Sequence, residues 1–449
     1  INGTLSDLPS SLINVELENT GITDLNGLNS CSNLNSIKAG SNSIVSYEGL
    51  NNSKESLIEI KLNYNEITNG DFSEFTNTKK LLVGDNELKS FKSPNVDELN
   101  FVGNPFSSSD PDLSLIDGDV EIDLDDSNPP VGKPQKYNMP SSKKINAIKS
   151  LSYSNTLNVK LTANNIPLPN EDWWNNSRII ELKSGGRKIN SPETSVIPTA
   201  CVSVELKNTN LSEFSNIPSN LKSLSLKENE LLQNVKFTNQ TSLESIDLNK
   251  NDFLSDVDLG RQQKLSKINL GGEVTTLAGE LPELETLDVS NTKISKIDLN
   301  DAIKLKNLVA SNTEIKSLDA SSYESLEVLN LSGCVDFGKN QTTSLLLPSS
   351  YNLKDLDLSN TSVQSSELGN VLNKLNTNLT DYNQVKRFRY TGTSRRPYES
   401  DSNVTNLESI GWNITPKEPT LDKFVLVDAD VKPNVTRQDL FEKKEINLL

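Results

Sequence analysis

Apolar residues along this chain keep returning in one fixed order. The clearest case is residues 284–319, where Leu284, Leu287, Val289, Thr292 and Ile294 recur 21 residues later as Leu305, Leu308, Ala310, Thr313 and Ile315. The shared pattern is L-x-x-L-x-L-x-x-(N/T)-x-(L/I). Alternation in its centre has the period of a short strand with one apolar face. A strand that short cannot bury its face alone, so a parallel copy from the next repeat must cover it. Spacing near 21 residues leaves room for a strand, a turn and a short extended or 3₁₀ return, but not for a full helix. The Asn or Thr after the strand also has a reason. The turning backbone buries N–H and C=O groups, and a stacked row of amides or hydroxyls can satisfy them.

The same phase runs through most of the chain. It opens with LINVELENTGI from Leu12, LNSIKAGSNSI from Leu34 and LIEIKLNYNEI from Leu57. TKKLLVGDNEL from Thr78 and VDELNFVGNPF from Val96 follow, and DGDVEIDLDDSN from Asp117 reads as a sixth, degenerate strand. Residues 127–142 hold four prolines and no repeat, so the sheet is expected to be interrupted or covered there. A second block restarts near Ile148 or Thr156, where IKSLSYSNTL and TLNVKLTANNI are two competing phases. It continues through Ile179, Cys201, Leu221, Leu243, Leu265, Leu284, Leu305, Leu326 and Leu353. Phase is lost over 364–384, where SSELGNVLNKLNTNL suits a short convex helix, and VKRFRYTGTS and LESIGWNIT read as the last two repeats. The expected organisation is a first block at 1–128, a Pro-rich loop or linker at 129–145, a second block at 146–415, and a cap or further domain at 416–449.

The motif at Leu221, Leu243, Leu284, Leu305, Leu326 and Leu353 resembles short bacterial-type leucine-rich repeats. The SNTKI, SNTEI and SNTSV turns are similar to those of internalin-like surface proteins and their relatives in the Bacteroidetes. LPSSL (from Leu8) and IPSNL (from Ile217) resemble the Pro-containing return of secreted bacterial effectors with such repeats. The fold implied is a leucine-rich repeat solenoid of the α/β class with short repeats. Its concave face would be a curved parallel β-sheet and its convex side mostly 3₁₀ or extended. The resemblance further implies binding of a protein or glycan on the concave or lateral face.

Composition narrows the chemistry. An apolar fraction of 34% with 5% aromatics fits a one-layer core of Leu and Ile rather than a globule. Net charge of −17 argues against nucleic-acid phosphates or an anionic membrane surface as partners. No run approaches the apolar length of a membrane span. The chain has no histidine, which removes Ser–His and Cys–His nucleophiles and His-ligated zinc. Cys31, Cys201 and Cys334 lie many repeats apart and are expected to be unpaired and packed; their odd number leaves an intermolecular bond open.

Three segments stand out as candidate sites. Asp117, Asp119, Glu121, Asp123 and Asp125 alternate with apolar or small residues, so a strand would aim five carboxylates at one side. Such a row would attract Ca²⁺ or a basic partner, but it lacks an EF-hand loop and a flat strand does not wrap a cation by itself, so a hydrated outer face is the reading favoured. In KRFRYTGTSRRPY, Arg387, Arg389, Arg395 and Arg396 accompany Tyr390 and Tyr398. Arg and Tyr are enriched at interface hot spots, and with Phe388 and Tyr390 inward, Arg387 and Arg389 would project from the concave face. The alternative is that these arginines neutralise acids of the same chain. Trp173 and Trp174 are a second aromatic candidate for partner contact. Other outward strand positions, such as Ser223, Ser225, Asp247, Asn269, Asp288, Asn330 and Asp357, suit polar ligands such as glycans.

The function expected is non-enzymatic recognition or adhesion outside the cell, at a cell surface, with a protein or glycan ligand and no cofactor. A structural subunit of an assembly is the alternative: a phage virion decoration or tail protein, or a surface-layer or filament component, with copies of itself as partners.

Overall fold

The computed structural model describes residues 5–6, 8–106, 111–124, 148–149, 158–163, 168–169, 171–186, 197–214, 217–237, 240–277, 279–299, 301–340, 343–350, 352–376, 386–390, 402–409 and 411–415. Within them, eighteen short strands form one parallel sheet. The chain adds strands in order, from Asn14–Glu16, Ser36–Lys38 and Glu59–Lys61 at one end to Lys386–Arg389 and Trp412–Thr415 at the other. Each strand contributes one inward residue to a continuous row, for example Ile246, Ile268, Leu287, Leu308 and Leu329, all fully or almost fully buried. That row is the period-two expectation realised: no strand has a core of its own, and each is covered by its neighbours.

The turn after each strand is built from two adjacent residues with different duties. The first has a positive φ: Ser41, Tyr64, Asp85, Glu228, Lys250, Asn291, Asn312 and Asn360 lie between 54° and 61°. Asn tolerates this left-handed conformation better than most side chains, which accounts for the middle letter of the SNT turns. The second residue is the buried ladder position. Asn65 donates to Leu62 O at 3.0 Å and to Ala39 O of the preceding repeat at 2.9 Å, while its Oδ1 accepts from Ile44 N at 3.1 Å. Asn86, Asn104, Asn229 and Asn251 repeat this arrangement. From residue 292 onward Thr, and in one repeat Cys334, replaces Asn. Thr292, Thr313 and Thr361 each donate to the carbonyl three residues back, and Cys334 to Ala310 O of the preceding repeat. Between the two series Gly272, at φ +83°, brings its backbone so close to the previous repeat that a Cβ would lie 2.1 Å from Asn251 O.

The return segments are more regular than expected. Beside two 3₁₀ turns, Asn26–Leu28 and Glu48–Ser53, there is a three-stranded parallel ladder of Glu213–Phe214, Asn234–Lys236 and Asp256–Asp258. Leu318–Asp319 pairs with Leu345–Leu346 in the same way. The helix expected after Gln364 is present at Ser365–Asn376. Its buried Glu367 takes the place of a further strand, accepting Ser344 Oγ at 2.7 Å, Leu345 N at 2.8 Å and also Ser344 N.

Two sequence expectations need correction. Interruption, one of the two outcomes expected at the Pro-rich stretch, does not occur, because Val120–Asp123 pairs directly with Val159–Thr162 in register; the expected cover falls on residues 127–142, outside the described residues. Of the two competing phases, the strand uses TLNVKLTANNI; residues 125–147 and 416–449 lie outside the described residues. Leu407 does not begin a strand: it sits in the helix Ser402–Ser409, and the strand starts after Gly411 (φ +92°) at Trp412. All three cysteines are buried and free. Cys201 donates to Ile179 O at 3.1 Å and Cys334 to Ala310 O at 3.0 Å.

Candidate functional site: the concave face

Because the middle residue of each strand points inward, its two flanking residues stand on the concave face, in columns spaced about 4.8 Å apart from repeat to repeat. Three zones of different chemistry result.

In the first zone charges alternate and pair across repeats. Lys38 meets Glu16 at 2.9 Å, Lys61 meets Glu18 at 2.5 Å and Lys80 meets Glu98 at 2.6 Å. The hydrogen bond and charge of Glu16 raise the Lys38 pKa, and Lys38 lowers that of Glu16 in return. These groups are exposed, so water screens most of the attraction. The acidic run belongs to the same system. Glu121 is exposed on the strand Val120–Asp123, with Asp123 half-buried two residues on; Asp117 and Asp119 are exposed and precede the strand. Glu121 stands in register with Lys160, and Asp119 Oδ1 accepts from Asn158 Nδ2 at 2.9 Å. The row is therefore shorter than the sequence implied, and Asp125 lies outside the described residues. Among the described residues no three His, Cys, Asp or Glu side chains gather as a metal site.

The second zone spans the strands Lys267–Asn269, Thr286–Asp288, Asn307–Val309 and Val328–Asn330. Its columns hold three amides, one hydroxyl, two valines, Lys267 and Asp288. Ser311 Oγ donates to Ser290 Oγ at 3.0 Å, and Asn307 Nδ2 reaches Thr286 Oγ1 at 3.4 Å. Asp288 accepts the Ser290 N–H at 2.9 Å but has no cation beside it among the described residues, and Lys267 has no anion. Asn269 Oδ1 is buried without a hydrogen-bond partner.

The third zone contains the arginines. Phe388 and Tyr390 are buried, and Arg387 and Arg389 alternate to the concave side, as expected. There they close on carboxylates of the preceding strand: Arg387 on Asp355 at 2.6 Å, Arg389 on Asp357 at 2.7 Å and on Asp355 at 3.0 Å. Both aspartates are buried beneath them. Both arginines thus have acidic partners in the same chain, while the Arg387 side chain stays more than half exposed. Arg395, Arg396 and Tyr398 lie outside the described residues. Trp174 is wholly buried in the short helix Asp172–Asn175, a correction to its candidacy for contact. Trp173 is half-buried against the core, with its Nε1 donating to Glu171.

No family model and no curated protein matches the chain. Among solved structures it is similar to the functional domain of InlJ from Listeria monocytogenes, with 16% identity over 85% of this chain and 75% of that one and a TM-score of 0.36. An internalin (inlF) from Listeria monocytogenes gives 15% identity, 73% and 86% coverage and a TM-score of 0.35. A leucine-rich repeat protein of Leptospira interrogans gives 15%, 90% and 96% coverage and a TM-score of 0.42. At these values the fold rests on the chain's own ladder. Leu284, Leu287, Val289, Thr292 and Ile294 are all buried, and so are their counterparts one repeat on. The chain is a leucine-rich repeat solenoid.

Sequence reasoning about this leucine-rich repeat solenoid missed Asp355 as a partner, because its arginine lies 32 residues away and only the strand register brings them together. It also missed Lys386, which the motif gives no reason to place inside. The one signal was its even spacing from Phe388 and Tyr390.

Proposed function

We propose that the chain is a non-enzymatic recognition protein of bacterial type, acting outside the cell, which takes an extended polar ligand on its concave face. A glycan or a polar protein segment fits the second zone, from Lys267 to Ser332. The observation that carries this reading is the contrast in pairing. Lys38, Lys61 and Lys80 in the first zone and Arg387 and Arg389 in the third each hold a carboxylate of another repeat. Asp288 and Lys267 have no such partner among the described residues. Polar groups left open in a concave surface are those a ligand can satisfy. Without histidine, the common nucleophilic systems are closed to it. Among the described residues no helix is long and apolar enough to cross a membrane.

A glycan array, followed by pull-down from host surface extracts, identifies the ligand. Asn307→Arg with Ser311→Arg places two bulky side chains in the middle of the second zone without touching the inward row. Binding is expected to fall at least about tenfold, equivalent to about 1.4 kcal/mol, with an unchanged circular dichroism spectrum. Undiminished binding by this variant would rule out the second zone as the site.

A further inference from the structure

The inner side of the last two strands holds an arrangement that the solenoid does not require. Lys386 and Trp412 are register partners at the starts of Lys386–Arg389 and Trp412–Thr415. Lys386 keeps 5% of its surface exposed and Trp412 4%. The Lys386 ammonium stands 5.8 Å from the centroid of the Trp412 ring. Lys386 has no ion pair or hydrogen bond among the described residues, and Trp412 Nε1 is buried with no acceptor. The arginines one and three strand positions away do not help, since they alternate to the concave side and hold Asp355 and Asp357 there.

An ammonium offers three donors and an indole one, and neither group accepts. Withdrawing such donors from water without an acceptor is costly, and a cation–π contact returns only part of that. We propose that Lys386 and Trp412 form a binding site for one carboxylate group of a small ligand. A carboxylate supplies the two missing acceptors and a single negative charge to meet a single positive one. A doubly charged phosphate would leave one charge uncompensated in a buried position. Hydrogen bonds of about 2.9 Å to each oxygen are short enough to bridge the ammonium and the indole edge. This site lies on the inner side of the sheet, away from the concave second zone, and stands or falls independently of the ligand proposed there.

The chain has three tryptophans, so a ¹⁵N-labelled sample gives three indole N–H signals, and Trp412→Phe identifies one of them. Sodium acetate, titrated against sodium chloride at matched ionic strength, is expected to shift that signal alone. The shift should saturate with a Kd on the order of 1 mM. Lys386→Met should weaken binding at least about tenfold, while Lys296→Gln, which removes an exposed cation elsewhere, should leave it unchanged. The other two indole signals, at Trp173 and Trp174, report whether Lys386→Met is still folded; if it is not, Lys386→Arg, which keeps the charge, should retain acetate binding. Glucuronate binding more tightly than acetate assigns the site to an acidic sugar, and equal affinity assigns it to free carboxylates. A shift that grows linearly without saturating, one that persists in folded Lys386→Met, or tighter binding of inorganic phosphate than of acetate would overturn the proposal.

Discussion

The asparagine turns of the first repeats and the threonine turns after residue 290 occupy the same place and hold it differently. Asn65 crosses to the preceding repeat twice, at Ala39 O and at Ile44 N, and bonds its own repeat at Leu62 O. Thr313 donates only to Ala310 O within its own turn, apart from a contact with Cys334. An asparagine therefore stitches neighbouring repeats, whereas a threonine closes one turn and leaves the stacking to backbone and leucines. The largest effect expected follows directly. Asn65→Ala leaves the buried Ile44 N–H without its acceptor and takes one of two donors from Ala39 O and from Leu62 O, which keep Asn42 and Asn86. It should cost about 3 kcal/mol, against about 1 kcal/mol for Thr313→Ala. Urea unfolding of the two variants measures this, and equal losses would erase the distinction.

The junction between the two series gives the next effect. At Gly272 no ladder side chain intervenes and the backbone itself closes on Asn251 O. Gly272→Ala adds both a clash and an unfavourable φ, and should cost about 2–3 kcal/mol. Gly118, also at positive φ but with nothing near its Cβ, should lose less on the same substitution. Thermal unfolding of the pair separates close approach from backbone strain.

Charge pairing sharpens the contrast from another side. At the far end Asp355 and Asp357 are buried beneath Arg387 and Arg389. In the first zone both members of each pair meet water. Asp355→Ala should cost about 1–2 kcal/mol, less than a fully buried pair because Arg387 stays more than half exposed. Lys38→Met should leave the urea midpoint unchanged within error and lose nothing further at high salt.

How much of this was legible beforehand depends on whether the cause was local. Leu284, Leu287 and Val289 announce their strand because the period-two pattern and the following Asn-Thr lie within a dozen residues. TLNVKLTANNI competed evenly with IKSLSYSNTL, since each satisfies the pattern and only pairing with Val120–Asp123 chooses between them. The convex strand Asn234–Lys236 carries a single inward valine and has no alternation long enough to read. Arg387 was correctly aimed from sequence, but its role turned on Asp355, which is adjacent only through register. Trp174 shows the converse: an aromatic pair in a polar stretch looks exposed until the fold turns one ring inward.

The smallest effect concerns alkaline pH. Burial pushes the Cys201 thiol from 9.0 up to about 12, so the native state holds its proton where the unfolded chain has released it. That stabilisation is whole below pH 9 and declines as pH rises from about 9 towards 12. Tyr47, raised by burial from 10.0, adds in the same direction. Urea midpoints should fall above pH 9, and Cys201→Ala should flatten part of that slope.

The account depends on one continuous parallel sheet, and its most exposed point is the join across the Pro-rich stretch. Glu121 and Lys160 are register partners on the two strands that meet there, within the roughly 4.4–6.8 Å Cα separation a disulfide accepts. Glu121→Cys with Lys160→Cys, mildly oxidised and mapped by non-reducing peptide mass spectrometry, should yield the linked peptide pair in high proportion. The buried native cysteines should not compete. Failure to form that link, with both new thiols accessible to alkylation, would mean that the two blocks do not share a sheet.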